Sequence, residues 1–195
     1  ILDTKIQQMG NPPAMREPFA EMDQILKKLE RTKRSESATF PGIIMRVLQL
    51  NKELQAAIDV AYRAELTTTE TPLNLLNNQS YDIARLLMDY QLRRYPLEEE
   101  EKLPFRMDPA QLPMLDKKIN DTFVVLLEKR AENADYLEPA YRNYRFVRKQ
   151  LLQSKGRPNG GAEFYMTRTV IDLNDLGSEL AIEAEGADPD NPQNR

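Results

Sequence analysis

The sequence predicts an all-α fold, a mainly antiparallel up-and-down bundle of five or six helices. Three observations carry this. Apolar residues recur every three or four positions through most of the chain, the spacing that lines up one face of a helix. Lys, Arg, Glu, Gln, Leu and Ala dominate the longer segments, and these side chains lose little rotamer freedom in a helix. The periodic runs end at proline, glycine or threonine clusters. With 195 residues, 41% hydrophobic and 30% charged, and a mean hydropathy of -0.63, the chain has the composition of one folded domain. That domain is drawn over residues 17–185, after an irregular entry segment at 1–16 and before a disordered acidic tail at 186–195.

Gly10, Pro12 and Pro13 interrupt residues 1–16 and leave little periodicity there. A first helix over about 18–33 carries Phe19, Met22, Leu26 and Leu29 on one face, with acids near its start and Lys27, Lys28, Arg31 and Lys33 near its end. The longest stripe follows over 40–66, through Ile44, Val47, Leu48, Leu54, Ile58, Ala61 and Tyr62, with Pro41 suited to the first turn. The rest of the chain is expected to organise around it. Thr67, Thr68 and Thr69 end it.

Thr71 and Pro72 form an N-cap and first position for a third helix with Leu76, Ile83, Leu86, Leu87 and Tyr90 on its inner face. Asp82, Arg85 and Asp89 lie on its flank and read as surface ion pairs. Pro96 stops that helix, and Glu98–Glu101 with Pro104, Pro109 and Pro113 make 97–113 the longest unpatterned connection, in which Asp108 before Pro109 can cap a turn. A fourth helix then runs to about 131 through Leu115, Ile119, Phe123, Leu126 and Leu127. Asp135 and Glu138 have capping-box spacing, and Pro139 alternatively marks the first turn of a helix starting later. This fifth helix, to about 155, has Leu137, Tyr141, Tyr144, Val147 and Leu151 on its inner face. Gly156, Pro158, Gly160 and Gly161 form a loop before a sixth helix over 162–184, where Thr167, Thr169, Val170 and Ile171 allow a break.

Cysteine and histidine are both absent, which excludes disulfides, thiolate metal sites, cysteine nucleophiles, a Ser-His-Asp triad and histidine-ligated metals within the chain. No cofactor, metal or catalytic residue is implied. A net charge of -4 and a pI near 5.1 give no global attraction for nucleic acid. No apolar run reaches the roughly 18 residues of a spanning helix, so no membrane insertion by this fragment is expected. The start at Ile1 rather than Met, together with the lack of cysteine, leads to the expectation of a processed periplasmic or otherwise extracytoplasmic protein, with a cytoplasmic one as the alternative.

One stretch departs from the acidic balance. Arg142, Arg145, Arg148, Lys149, Lys155 and Arg157 occur with no acidic residue between Pro139 and Ala162, and Tyr141 and Tyr144 are interleaved. Arginine beside tyrosine can clamp a carboxylate or phosphate, or stack on a planar group. Tyr141, Arg142, Tyr144, Arg145, Arg148 and Arg157 are therefore the candidate anion-binding residues. The competing structural reading sets this basic flank against Asp172, Asp175, Glu179 and Glu183 on the next helix. The expected function is a non-enzymatic helical interaction or ligand-sensing module with a protein partner or a small anionic ligand. The alternative is an all-α small-molecule binder or enzyme using the Arg/Tyr cluster.

Overall fold

The structure is a computed structural model describing residues 2–33, 40–65, 71–93, 106–153 and 160–186. It is all-α. Seven helices occupy the described residues and no strand occurs among them: α1 (Leu2–Gln8), α2 (Pro13–Arg31), α3 (Phe40–Glu65), α4 (Pro72–Leu92), α5 (Leu112–Lys129), α6 (Ala134–Leu152) and α7 (Gly160–Gly186). Short 3-10 turns at Pro109–Gln111 and Ala131–Asn133 lead into α5 and α6. Where the sequence draws one bundle over 17–185, the described helices group into two compact units, α1 to α3 and α4 to α7.

The first unit contains α1, α2 and α3. The entry segment is not irregular, because the glycine and prolines that break its periodicity join two helices. Gly10 (φ 82) and Asn11 (φ 55) adopt left-handed backbone, and Asn11 N–H returns to the Ile6 carbonyl at 2.9 Å, closing the end of α1. Pro13 then starts α2, where its missing N–H costs nothing. α2 and α3 are antiparallel: Arg46 reaches Glu21 through both carboxylate oxygens at 2.7 and 2.6 Å, while Met15, near the start of α2, shares a core with Leu54. Ile6 completes that core, flanked by the partly buried Phe19, Met22, Ala57, Ile58 and Ala61. α3 is the 26-residue rod expected, but Ile44, Val47 and Ile58 on its stripe are only half-buried. The largest core lies elsewhere.

That core belongs to α4, α5, α6 and α7 in the second unit. Neighbouring helices pair in sequence order and α7 closes the ring against α4. Named contacts give the directions. Gln79 donates to the Ile119 carbonyl at 2.9 Å and Asp89 accepts from Met107 N–H at 2.9 Å, so α5 runs opposite to α4. Tyr141 meets Asn120 and Arg148 meets Asp116, so α6 runs opposite to α5. Ser80 bonds Asn174 at 2.6 Å while Gly177 faces Leu76, so α7 is antiparallel to α4. Ile83, Leu86, Ile119, Phe123, Leu137, Tyr144, Leu151, Ala162 and Met166 are almost fully enclosed. At about 25 cal/mol per Å² of apolar surface removed from water, this shared seam is the main stabilising contribution to the unit.

The local signals at its helix starts are mostly as expected. Thr71 accepts from Asn74 N–H at 3.2 Å, and Asp108 accepts from Ala110 N–H at 2.9 Å. Two differ. Asp135 lies inside the first turn of α6, and no side chain caps that helix, whose N-cap is Asn133. α7 passes through Thr167–Ile171 without a break, because burial of Met166, Thr169 and Leu173 on one side outweighs the local strand preference. The expected tail at 186–195 lies outside the described residues after Gly186.

Candidate binding surface on α6

α6 is held by its inner line, Leu137, Ala140, Tyr144, Val147 and Leu151, each buried. Each residue advances the helix by about 100°, so the Arg/Tyr cluster is distributed around the rod rather than gathered on one face. The structure divides the candidates into two groups. Tyr144 and Arg148 turn toward α5. Tyr141, Arg142 and Arg145 border an open groove. Arg157 lies outside the described residues.

The inward group meets Asp116, whose side chain is only 6% exposed. Tyr144 Oη donates to Asp116 Oδ1 at 2.7 Å and Arg148 Nε to the same oxygen at 2.6 Å, while Arg148 Nη2 takes Oδ2. Asn120 donates to both the Asp116 carbonyl and Oδ1, and its own amide oxygen accepts from Tyr141 Oη at 3.3 Å. Burial acts most strongly, raising the Asp116 pKa, but the hydrogen bonds from Arg148, Tyr144 and Asn120 and the Arg148 charge together outweigh it, so the carboxyl lies below its ordinary range. Burial pushes the Tyr144 phenol up, and the carboxylate facing it adds to the shift. The Asp116 hydrogen bond raises Arg148. The cluster is thus a fixed carboxylate with its donors already in place, which joins α5 to α6.

The expected neutralisation by the α7 acids is not what pairs Arg148. Among the described residues, Asp172 bonds Arg168 on its own helix at 2.9 Å and Glu183 lies 4.0 Å from Arg130. The competing carboxylate comes from α5. Asp116 sits at the edge of the apolar stripe, one residue after Leu115 and three before Ile119, a position that the pattern alone leaves open between core and solvent.

The outward group lines a shallow groove of about 480 Å³, bordered by Leu127, Glu138, Tyr141, Arg142, Arg145 and Phe146. The Arg145 guanidinium lies 5.7 Å from the Tyr141 ring centroid, and that ring stacks on buried Phe123 at 4.9 Å. The arginine is thereby oriented by a ring that is itself anchored in the core. Phe146 is 69% exposed, and its ring meets Tyr165 of α7 edge-on at 5.0 Å. Phe164, 70% exposed, meets the same tyrosine at 5.6 Å. Among the described residues no carboxylate is ion-paired with Arg142 or Arg145.

A second polar cluster corrects the reading of α4. Asp89 and Asp82 are not surface groups: they are 1% and 4% exposed. Asp89 takes both Nε and Nη2 of Arg93, also accepts from Met107 N–H, and lies 3.6 Å from Arg106. Arg93, itself 5% exposed, donates onward to the Gln153 carbonyl at the end of α6. Asp82 pairs with Lys118 at 2.6 Å. These acids tie helix ends and neighbours together, and the flank spacing concealed them because it also fits surface pairs.

No family model matches the chain, and comparison with curated proteins and with solved structures likewise returns no match. No helix among the described residues is long and apolar enough to cross a membrane.

Proposed function

We propose that the chain is a non-enzymatic helical interaction module that engages a protein partner through the outer face of α6. One observation carries this reading: Arg142, Arg145 and Phe146 are all exposed beside Tyr141, on a helix whose opposite side is locked into a core. Arginine and aromatic residues are enriched in the fully buried parts of protein interfaces and, for Arg, Tyr and Trp, among the few residues that carry most of the binding energy. The exposed Phe146 and Phe164 extend the patch toward α7. The absence of cysteine and histidine supports a binding role over nucleophilic or imidazole-based catalysis. The cysteine-free sequence also suits an oxidising, extracytoplasmic compartment.

A photo-crosslinking residue at position 146, compared with one at exposed Asn78 on α4, tests the reading in an extract of the source cells. A discrete protein adduct at 146 and none at 78 is expected. Equal labelling, or none at 146, contradicts it. The second reading, a small anionic ligand, has its own support in the groove volume, which lies within the range of small-molecule sites. It requires thermal stabilisation by an anionic metabolite that disappears in Arg145→Ala.

A further inference from the structure

We infer that the segment this surface captures is acidic and amphipathic: a stretch of protein presenting carboxylates beside a bulky apolar side chain. The inference rests on the interaction reading and names the partner's chemistry. The chain carries a net charge of -4, yet the outer face of α6 presents Arg142, Arg145 and Lys149, with no acidic residue from 140 to 161. Such local inversion rejects basic partners and attracts carboxylates. Its two grooved arginines are forks suited to bidentate carboxylate contact, and Arg145 is already oriented over Tyr141, so less freedom is lost on binding. Leu127 and Phe146 add apolar surface to the same groove, and a purely charged ligand would leave that area uncovered.

Glu138 closes the other end of the groove with a negative charge. It sets a limit on the ligand: acids gather at the Arg142 and Arg145 end and not along the whole length. A nucleic-acid backbone, with phosphates at every step, fits this distribution poorly, and two arginines offer it few contacts.

The test is a selection of displayed, randomised helical peptides against the full chain, followed by fluorescence anisotropy on the enriched sequences. Enrichment of Asp and Glu with Leu, Phe or Trp at helical spacing is expected. Affinity for a selected peptide should fall by about tenfold in Arg142→Ala and again in Arg145→Ala, as for arginines near the centre of an interface. In the Arg142→Glu/Arg145→Glu double variant the selection should turn to Lys-rich and Arg-rich peptides. Both arginines are exposed, and an unchanged helical circular-dichroism spectrum verifies folding of each variant. Enrichment without acidic bias, no enrichment, affinities indifferent to the substitutions, or equal binding of a single-stranded oligonucleotide each overturns the inference. If position 146 still crosslinks a protein in those cases, the interaction reading stands and only its partner chemistry is wrong. If crosslinking is also absent, both fall.

Discussion

Two sides of α6 share a composition and have opposite fates. Tyr144 and Arg148 face α5 and are committed to Asp116, whereas Arg142, Arg145 and Phe146 border open solvent, with Tyr141 at the boundary, packed on Phe123 of α5. The difference is a matter of helical angle and of one carboxylate. An arginine that meets a buried acid becomes part of the scaffold; Arg142 and Arg145, about 60–120° further round the helix, meet none and stay in solvent. Counting basic residues along the sequence cannot separate the two, since both lie in the same acid-free stretch.

Removing the buried acids tests the inward half of this contrast most severely. Asp89→Ala extends it to α4 and should be the most damaging substitution, because it leaves Arg93 enclosed without its carboxylate and Met107 N–H without an acceptor. A loss of about 3–5 kcal/mol in urea unfolding is expected, as for other broken buried pairs. A loss no larger than that of an average surface substitution would show that Asp89 is solvated.

Asp116→Ala should follow, at about 2–3 kcal/mol at neutral pH, since the fully buried Tyr144 hydroxyl then lacks an acceptor. Arg148 is 47% exposed and can turn to water, so it adds little to this cost. The pH dependence has a defined sign. The folded Asp116 carboxyl lies below its ordinary value, so its contribution is complete above an unfolded value of about 3.9 and is lost as pH falls through the lower folded one. The gap between wild type and Asp116→Ala should therefore narrow on acidification below about pH 4. A gap that widens there would contradict the assignment.

Tyr144→Phe is the gentler probe, with an expected cost of about 1–2 kcal/mol. Here the linkage runs the other way. The folded phenol is raised, so its contribution is present below the unfolded value of about 10 and declines as pH rises beyond it. Denaturation between neutral pH and pH 11 or so should show wild type losing stability toward a variant that lacks this ionisation.

Much of the second unit was legible because its helices have strong apolar stripes and side-chain punctuation. Thr71 and Pro72 start α4 as expected, and Leu115, Ile119, Phe123 and Leu126 are buried along α5. The failures have physical causes. Gly10 and Pro13 look like breakers, yet one closes a helix and the other opens the next. The α3 stripe is the longest in the sequence, but length alone does not ensure burial; that depends on how many helices cover it, and the compact cluster around Leu54 is small. Asp82, Asp89 and Asp116 escaped because a carboxylate four residues from an arginine, or on the edge of a stripe, has the same pattern whether wet or buried. Of the candidate surface, the sequence named the helix and the residue types, while the angular division came only from packing against α5.

The most direct test of that division is urea denaturation of Arg145→Ala and Tyr144→Phe side by side at neutral pH. Arg145→Ala should unfold within about 0.5 kcal/mol of wild type, as an exposed substitution does, while Tyr144→Phe should lose at least twice that. Equal losses, or a larger loss at Arg145, would mean that the outer face of α6 is as much a part of the scaffold as the inner one.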